Sequence, residues 1–364
     1  MPRIVLSGYY GFDNAGDEAI LEATIAGLRR QAEDLEIVAL SADPGRTASL
    51  YGVLAVDRWN WREVWRETAR ADLFVSGGGS LIQDATSRLS PYYYLGLIRL
   101  AGLVRTPAAV YAQGLGPIHS RLAASWTARL FRRAVLVSVR DEGSRAWLEE
   151  RGVSGVQVVP DPAAALVPAP EERLEEIETE LGLSSGEPRL GFALRPWPGA
   201  EALADVAAQV ARRAAEGLGA RVLLFACQKP GDGTLAEGIA ERVGPSAVVV
   251  PSPPLPSELL GLVARCRALV GMRLHSLIFA AARGVPFVAV DYDPKIPAFC
   301  RSFGVSALPV TVTPDKLWDT ICCIWSGAES QREALEIRAA TLRAESERNF
   351  RALADISRKV CDRK

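Results

Sequence analysis

Short apolar runs that end in glycine, proline or a charge recur along the chain, alternating with longer segments whose apolar residues return every three or four positions. The first kind reads as buried strands and the second as amphipathic helices, so their alternation predicts α/β layers built on parallel sheets. In the first half, strands are predicted within RIVLSGY (3–9), DLEIVALSA (34–42), DLFVSGGG (72–79), TPAAVYAQGLG (106–116), AVLVSVRDEGS (134–144) and VQVVPDPA (156–163). Between the first two, GDEAILEATIAGLRRQ (16–31) predicts a helix with Ile20, Ala23, Thr24 and Leu28 near one face. A second strand series runs through RLGFALRPW (189–197), RVLLFACQ (221–228), AVVVPS (247–252), RALVGMR (267–273) and PFVAVDYD (286–293).

Between the two series, residues 164–188 carry prolines, an acidic helical segment and a Ser/Gly stretch, which marks an interdomain crossing. The last 35 residues are charged, free of glycine and proline and helical in period, with too few apolar positions for sustained heptads. The expected organisation is an N-terminal α/β domain over 1–165, a linker and helix over 166–188, a C-terminal α/β domain over 189–328 and a closing helix over 329–364. Both domains are expected to be Rossmann-like and doubly wound, facing each other across a cleft.

Composition fits this reading. A chain of 364 residues exceeds the roughly 250–300 at which single cores stop growing. With 49% apolar residues and a net charge of −1, nothing points to nucleic-acid binding. The six cysteines all lie in the second half without a CxxC pair or a metal-ligand spacing, as expected of reduced thiols in a cytoplasmic protein. MPRIVLSGYYG enters a strand at once, without the basic and apolar regions of a signal peptide. No apolar run approaches the roughly 20 residues that span a bilayer, so any membrane association is expected to be peripheral.

Ligands of open parallel sheets bind beyond the carboxyl ends of the strands, so the loops there carry the candidate chemistry. In GYYGFDNAGDEAI (8–20) the glycines lack GxGxxG spacing and no acid closes the second strand, which speaks against a dinucleotide. Asn14, Gly16 and Asp17 instead offer backbone donors and a carboxylate at a helix start, although Asp17 could serve only as a helix-end charge. SGGGSLIQDATS (76–87) brings Gly78, Gly79 and Asp84 to the next loop, QGLGPIHSR brings His119, and SVRDEGS puts Arg140 at a strand end, with a surface salt bridge as its dull alternative.

The second half repeats the arrangement with Arg195 in FALRPW, Asp232 in FACQKPGDG, Arg273 and His275 in VGMRLHS, and Lys295 after VAVDYD. Arginine suits planar recognition of carboxylate or phosphate and lysine adds a point charge, so Arg140, Arg195, Arg273 and Lys295 describe a site for a small, multiply charged anion. HSLIFAAARG reads as a helix beginning at or near His275. Arg273 can share a ligand with His275 only from the preceding turn, which puts both at a helix N-terminus where amides and dipole attract anions. There a histidine suits acid–base work, its alternative being a buried core histidine.

These residues resemble a known family, the polysaccharide pyruvyltransferases, most closely their bacterial CsaB type. The carrying segments are SGYYGFDNAGDEAIL, FVSGGGSLIQDATS, AQGLGPI, SVRDEGS, VPDPA, LRPW and GMRLHSLIFAAARGVPFVAVDYDPKI. The resemblance implies a GT-B-like fold and transfer of pyruvate from phosphoenolpyruvate (PEP) to an N-acetylmannosamine residue of a lipid-linked secondary cell-wall polymer precursor, as a 4,6-ketal with release of phosphate. No cofactor or metal is implied, PEP being the donor substrate. His275 is then the expected acid–base group and Arg273 a clamp on the anion. Arg140, Arg195, Leu274 and Lys295 complete PEP binding, and Asn14, Asp17, Gly78, Gly79, Asp84, His119 and Asp232 take the acceptor. The expected product would anchor S-layer homology domains; the expected location is cytoplasmic, with peripheral contact at the inner face of the membrane. The oligomeric state is left open, a homo-oligomer included.

Two alternatives stand beside this reading. A nucleotide-sugar glycosyltransferase or 2-epimerase would share the fold, since fold does not fix function. A non-catalytic polysaccharide-binding protein would use aromatic platforms, which Trp59, Trp61 and Trp65 in WNWREVWRE could supply unless that segment packs on the sheet or touches acidic lipid.

Overall fold

The computed structural model describes residues 1–85, 87–251 and 255–363. Two compact units divide the chain. The first comprises Met1–Phe12, Asp17–Ala165 and Ala344–Lys364; the second comprises Asp13–Gly16 and Leu166–Arg343.

The first unit carries a parallel sheet of seven strands, β1 (Arg3–Ser7), β2 (Glu36–Ser41), β3 (Leu54–Asp57), β4 (Leu73–Gly77), β5 (Ala108–Gln113), β6 (Leu136–Val139) and β7 (Gln157–Val158), in the order 3-2-1-4-5-6-7. The chain winds outward from β1 through β2 to β3, then returns to β4 on the other side of β1. The strand order therefore reverses between β1 and β4, the position at which such sheets open a crevice for ligands. Helices α1 (Ala15–Gln31), α2 (Pro44–Tyr51), α3 (Trp61–Arg70), α4 (Ser90–Leu103), α5 (Arg121–Phe131) and α6 (Glu142–Glu149) make the crossovers.

Local chemistry sets their ends. Asp43 caps α2 by accepting the Arg46 N–H, Pro44 occupies the first turn, and Gly52 closes the helix in the left-handed region. Asn60, Ser120 and Asp141 cap α3, α5 and α6 in the same manner. On α1 the expected inward face is confirmed, with Ile20, Ala23, Thr24 and Leu28 all buried. One strand of this sheet escaped the pattern: β3 is a four-residue edge strand whose Leu54 is half exposed, so it shows no apolar run.

The second unit repeats the design with six strands, β8 (Arg189–Ala193), β9 (Arg221–Phe225), β10 (Ala247–Val250), β11 (Ala268–Gly271), β12 (Phe287–Asp291) and β13 (Leu308–Pro309), in the order 10-9-8-11-12-13. All neighbours are parallel, and the order reverses between β8 and β11. Of the stretch read as the third strand of this series, Ser252 lies outside the described residues. Helices α7 (Glu171–Glu180), α8 (Glu201–Leu218), α9 (Gly231–Val243), α10 (Pro256–Ala264), α11 (Leu274–Ala282), α12 (Lys295–Arg301) and α13 (Pro314–Ser326) complete it. The acidic segment after the first sheet is α7, which packs on α10: the Leu174 side chain fills the space above Gly261, and Arg173 pairs with the buried Glu258 at 2.8 Å.

The predicted terminal helix is α14 (Ala328–Cys361), and its residues from Ala344 onward cluster with the first unit. There Phe350, fully buried, sits over Gly27 so closely that a β-carbon at Gly27 would lie 2.2 Å from its ring. All six cysteines are free thiols. No helix among the described residues is long and apolar enough to cross a membrane.

Candidate functional site

The carboxyl edge of the second sheet gathers most of the predicted donor-site residues. Arg195 follows β8, Asp232 stands in the first turn of α9 after β9, Arg273 follows β11, and Tyr292 and Lys295 follow β12. Because β8 and β11 are neighbours, residues some 80 positions apart in sequence meet at the strand-order reversal.

Arg273 is the N-cap of α11, with extended backbone, and Leu274 and His275 are the first two helical residues. The Ser276 hydroxyl donates to the Arg273 carbonyl at 2.7 Å and tightens this first turn. The arrangement agrees with the expectation that Arg273 lies in the turn before the helix. Its guanidinium is not loose: Nε and Nη2 donate to the two carboxylate oxygens of Asp232 at 2.9 and 2.5 Å. Asp232 is 1% exposed and also accepts the Gln228 N–H at 3.1 Å. Asp232, expected on the acceptor, is thus placed where it orients Arg273 and balances its charge. The pair uses two of the five guanidinium N–H groups and leaves the others for an anion.

The segment Asp13–Gly16 belongs to this same unit. Asn14 forms an antiparallel bridge with Gln228, the Ala15 N–H donates to the Cys227 carbonyl at 3.0 Å, and the Asn14 side chain accepts the Gly16 N–H at 3.0 Å. This pinning brings the Gly16 backbone against the imidazole of His275, where a β-carbon would lie 2.0 Å from Nδ1. Only glycine leaves room for the ring. Sequence reading named Asn14 and Gly16 but gave no sign that they meet His275. Burial, with the charge of Asp232 adding to it, pushes the neighbouring Cys227 thiol up to about 12, so this cysteine is no nucleophile.

Arg195 lies beside a pair of touching aromatic rings. Trp197 and Tyr292 meet edge to face at 4.8 Å, and Arg195 Cζ is 5.1 Å from each ring centre. Its Nη1 donates to the Tyr292 hydroxyl at 3.3 Å. Lys295 Nζ is 5.8 Å from the same Tyr292 ring and 3.3 Å from Asp293. The aromatic faces hold Arg195 in place without a counter-charge, whereas Lys295 shares its charge with Asp293.

The remaining predicted residues belong to the first unit. Gly78 and Gly79 adopt left-handed backbone, and a β-carbon on Gly79 would meet an Asp17 carboxylate oxygen at 2.8 Å. The structure therefore joins Asp17 to the glycine loop after β4. Arg140, expected on the anion, is here 9% exposed, paired with Asp161 at 3.0 Å and donating to the Ser80 hydroxyl at 2.7 Å. Asp84 accepts the backbone N–H groups of His119 and Ser120 at 2.8–2.9 Å, and its carboxylate closes the turn before α5. Burial alone would raise its pKa, but those N–H groups hold it below the usual carboxylate value. The side chain of His119 is exposed.

Two successive doubly wound units, each with polar loops at its carboxyl edge, define a GT-B-like protein. The fold is similar to that of UDP-GlcNAc 2-epimerase from Neisseria meningitidis, solved bound to UDP-GlcNAc, at 10% identity with a TM-score of 0.69 over 97% of this chain and 99% of that one. It is also similar to Anabaena Alr3699/HepE in complex with UDP and glucose (14% identity, TM-score 0.58, 100% and 99% covered) and to the Escherichia coli ADP-heptose LPS heptosyltransferase II (14%, 0.54, 90% and 100%). At such identities the likeness is one of fold. No curated relative matches the sequence. Residues 14–294 match the polysaccharide pyruvyl transferase family, and the chain belongs to that family.

Proposed function

We propose that this transferase is of the CsaB type and moves pyruvate from PEP onto an N-acetylmannosamine residue of a lipid-linked secondary cell-wall polymer precursor, forming a 4,6-ketal and releasing phosphate. One observation carries the donor side of this reading: Arg195, Arg273 and Lys295 share a sheet edge with His275 at a helix N-terminus. PEP presents a phosphate and a carboxylate on one small enol, and three cations beside a helix N-terminus suit that charge.

The reaction needs a proton on the methylene carbon of PEP, which leaves an oxocarbenium-like centre at C2. One acceptor hydroxyl adds to C2 and loses its proton; the C2–O bond to phosphate then breaks, and the second hydroxyl closes the ketal with loss of its own proton. His275 is assigned the delivery and recovery of protons, a task worth about 10²–10⁴-fold in rate. Arg273, held by Asp232, grips phosphate or carboxylate, and Arg195 and Lys295 stabilise the charge on the departing phosphate. In this reading the first unit takes the acceptor, with Asp17 beside Gly78 and Gly79 receiving sugar hydroxyls, and with Asp84 and His119 shaping the adjoining loop. Arg140 acts by ordering the glycine loop through Ser80. A lipid-linked acceptor would bring the protein to the inner face of the membrane as a peripheral partner.

The test is phosphate release from PEP with a lipid-linked disaccharide mimic ending in N-acetylmannosamine. Wild type should release phosphate and give a ketal mass on the acceptor, and His275→Ala should do neither while still binding PEP. Near-normal turnover by His275→Ala would remove the acid–base role. The nucleotide-sugar reading draws on the likeness to the UDP-bound structures, and thermal protection by UDP-sugars without protection by PEP would favour it.

A further inference from the structure

The loops after β1 and β3 bring together aromatic rings of the first unit that the roles above leave unused. Tyr9 and Phe12 stack at 4.1 Å with planes 10° apart. Trp59 and Trp61 both lean on Tyr93, at 5.3 and 5.9 Å. Joining the two groups is Arg58, only 3% exposed, whose Cζ lies 5.0 Å from the Phe12 ring centre, 5.2 Å from Trp59, 4.6 Å from Tyr93 and 5.5 Å from Tyr94. Its Nη1 donates to the Gly8 carbonyl at 2.9 Å and its Nη2 to the Tyr94 hydroxyl at 3.1 Å, while the Tyr93 hydroxyl donates to the Arg58 carbonyl at 3.1 Å. This cation is too deeply set to meet a ligand. It acts as a pin that fixes rings from three chain segments.

The rings themselves face outward, with Trp59 57%, Trp61 51% and Tyr9 36% exposed. Exposed aromatic rings gathered around one buried cation are the kind of surface that marks a binding site. Its place favours a small polar ligand, because Tyr9 and Trp59 stand just past the carboxyl ends of β1 and β3, where parallel sheets receive ligands. Its borders are polar and partly acidic. Asp17 lies close enough for its charge to help raise the Tyr9 hydroxyl pKa, after burial, and Asp57 accepts the Trp59 N–H at 2.9 Å. Aromatic faces carry negative quadrupole density that attracts the polarised C–H face of a pyranose, while hydroxyls at the ring rim reach Tyr and Asp oxygens. Carboxylates at the border would instead repel an anionic bilayer.

We propose that Tyr9, Trp59 and Trp61, pinned by Arg58, form a stacking subsite for a second sugar ring of the acceptor, next to the ring held at Asp17. The subsite rests on the acceptor reading given above and adds to it a preference for a disaccharide over a monosaccharide. Arg58 is a positioning residue in it.

Calorimetric titration of the protein with a disaccharide ending in N-acetylmannosamine, and with N-acetylmannosamine alone, tests this without requiring turnover. Trp59→Ala and Tyr9→Ala should each weaken disaccharide binding about tenfold, Trp59→Phe should restore most of it, and the Kd for PEP should not move. Thermal melts of all three variants show that folding is intact. Unchanged disaccharide affinity in both alanine variants overturns the subsite. So does unchanged sugar binding accompanied by loss of sedimentation with phosphatidylglycerol vesicles, which would assign the surface to the bilayer. A protein that binds the disaccharide through these rings yet releases no phosphate from PEP keeps the subsite and refutes the donor chemistry, so the two failures are distinct.

Discussion

Gly16→Ala separates the placement of His275 from the stability of the fold. Gly16 is the second residue of α1 and does not need left-handed backbone, so alanine suits its conformation and should favour the helix by about 0.5–1 kcal/mol. The added methyl, however, would stand 2.0 Å from His275 Nδ1. Van der Waals contact needs about 3.5 Å, so ring and methyl must part by roughly 1.5 Å. The Gly16 backbone is tied down through Asn14 and the Ala15–Cys227 hydrogen bond, so the imidazole is the part that yields. A displacement of about 1 Å can cost on the order of 10²-fold in rate, close to 2.7 kcal/mol of barrier. Steady-state phosphate release should therefore show kcat down about 100-fold, with a melting temperature within a few degrees of wild type and calorimetric PEP affinity within about threefold. The double variant with His275→Ala should be no slower than His275→Ala alone, because both changes act through one ring. A kcat within threefold of wild type, or full additivity in the double variant, would refute the reasoning.

Asp232→Asn leaves the partly buried Arg273 without its counter-charge; removal of one member of a buried pair typically costs about 3–5 kcal/mol, and the partial exposure of Arg273 puts the loss at or below the low end of that range, so both a lower melting temperature and a weaker PEP Kd should appear by scanning calorimetry and titration. Burial pushes the Cys227 and Cys266 thiols up to about 12, against an ordinary value of 9, so the unfolded chain ionises first as pH rises. Their contribution to stability is complete below pH 9 and is lost between pH 9 and 12 at about 1.4 kcal/mol per pH unit for each thiol, and urea melts of wild type against Cys227→Ala plus Cys266→Ala should show a flatter alkaline limb in the variant. Phe350→Ala opens a cavity between α14 and Gly27, and a loss of about 3–5 kcal/mol is expected in urea unfolding. A loss below 1 kcal/mol would show that the end of α14 is dispensable.

The fold was legible because buried parallel strands write themselves as continuous apolar runs. Ten of the thirteen strands among the described residues fall in such runs with four or more residues; β7 and β13 are two-residue pairings at sheet edges, and β3 is a half-exposed edge strand that gives no run. Candidate site residues were legible one at a time for a related reason: polar loops collect where strands end, and strand ends can be read locally. Arg195, Arg273 and Lys295 were each placed at a strand end that way.

Partnership was not legible, because it depends on which strand ends the sheet order makes neighbours. No local pattern joins Asp232 to Arg273, 41 residues on, and each alone looks available to a ligand. Their bidentate pair makes Asp232, expected on the acceptor, a direct partner of Arg273. Arg140 shows the same effect, since its tie to Asp161 spans 21 residues and its Ser80 partner lies 60 positions away. The clearest case is Gly16, whose demand for a hydrogen in place of a side chain comes from His275, a residue that the sheet order and the Asn14–Gln228 bridge bring to it. A glycine in a loop usually signals backbone freedom; this one, helical and without positive φ, signals a close neighbour, and only the neighbour's identity ties it to the candidate site.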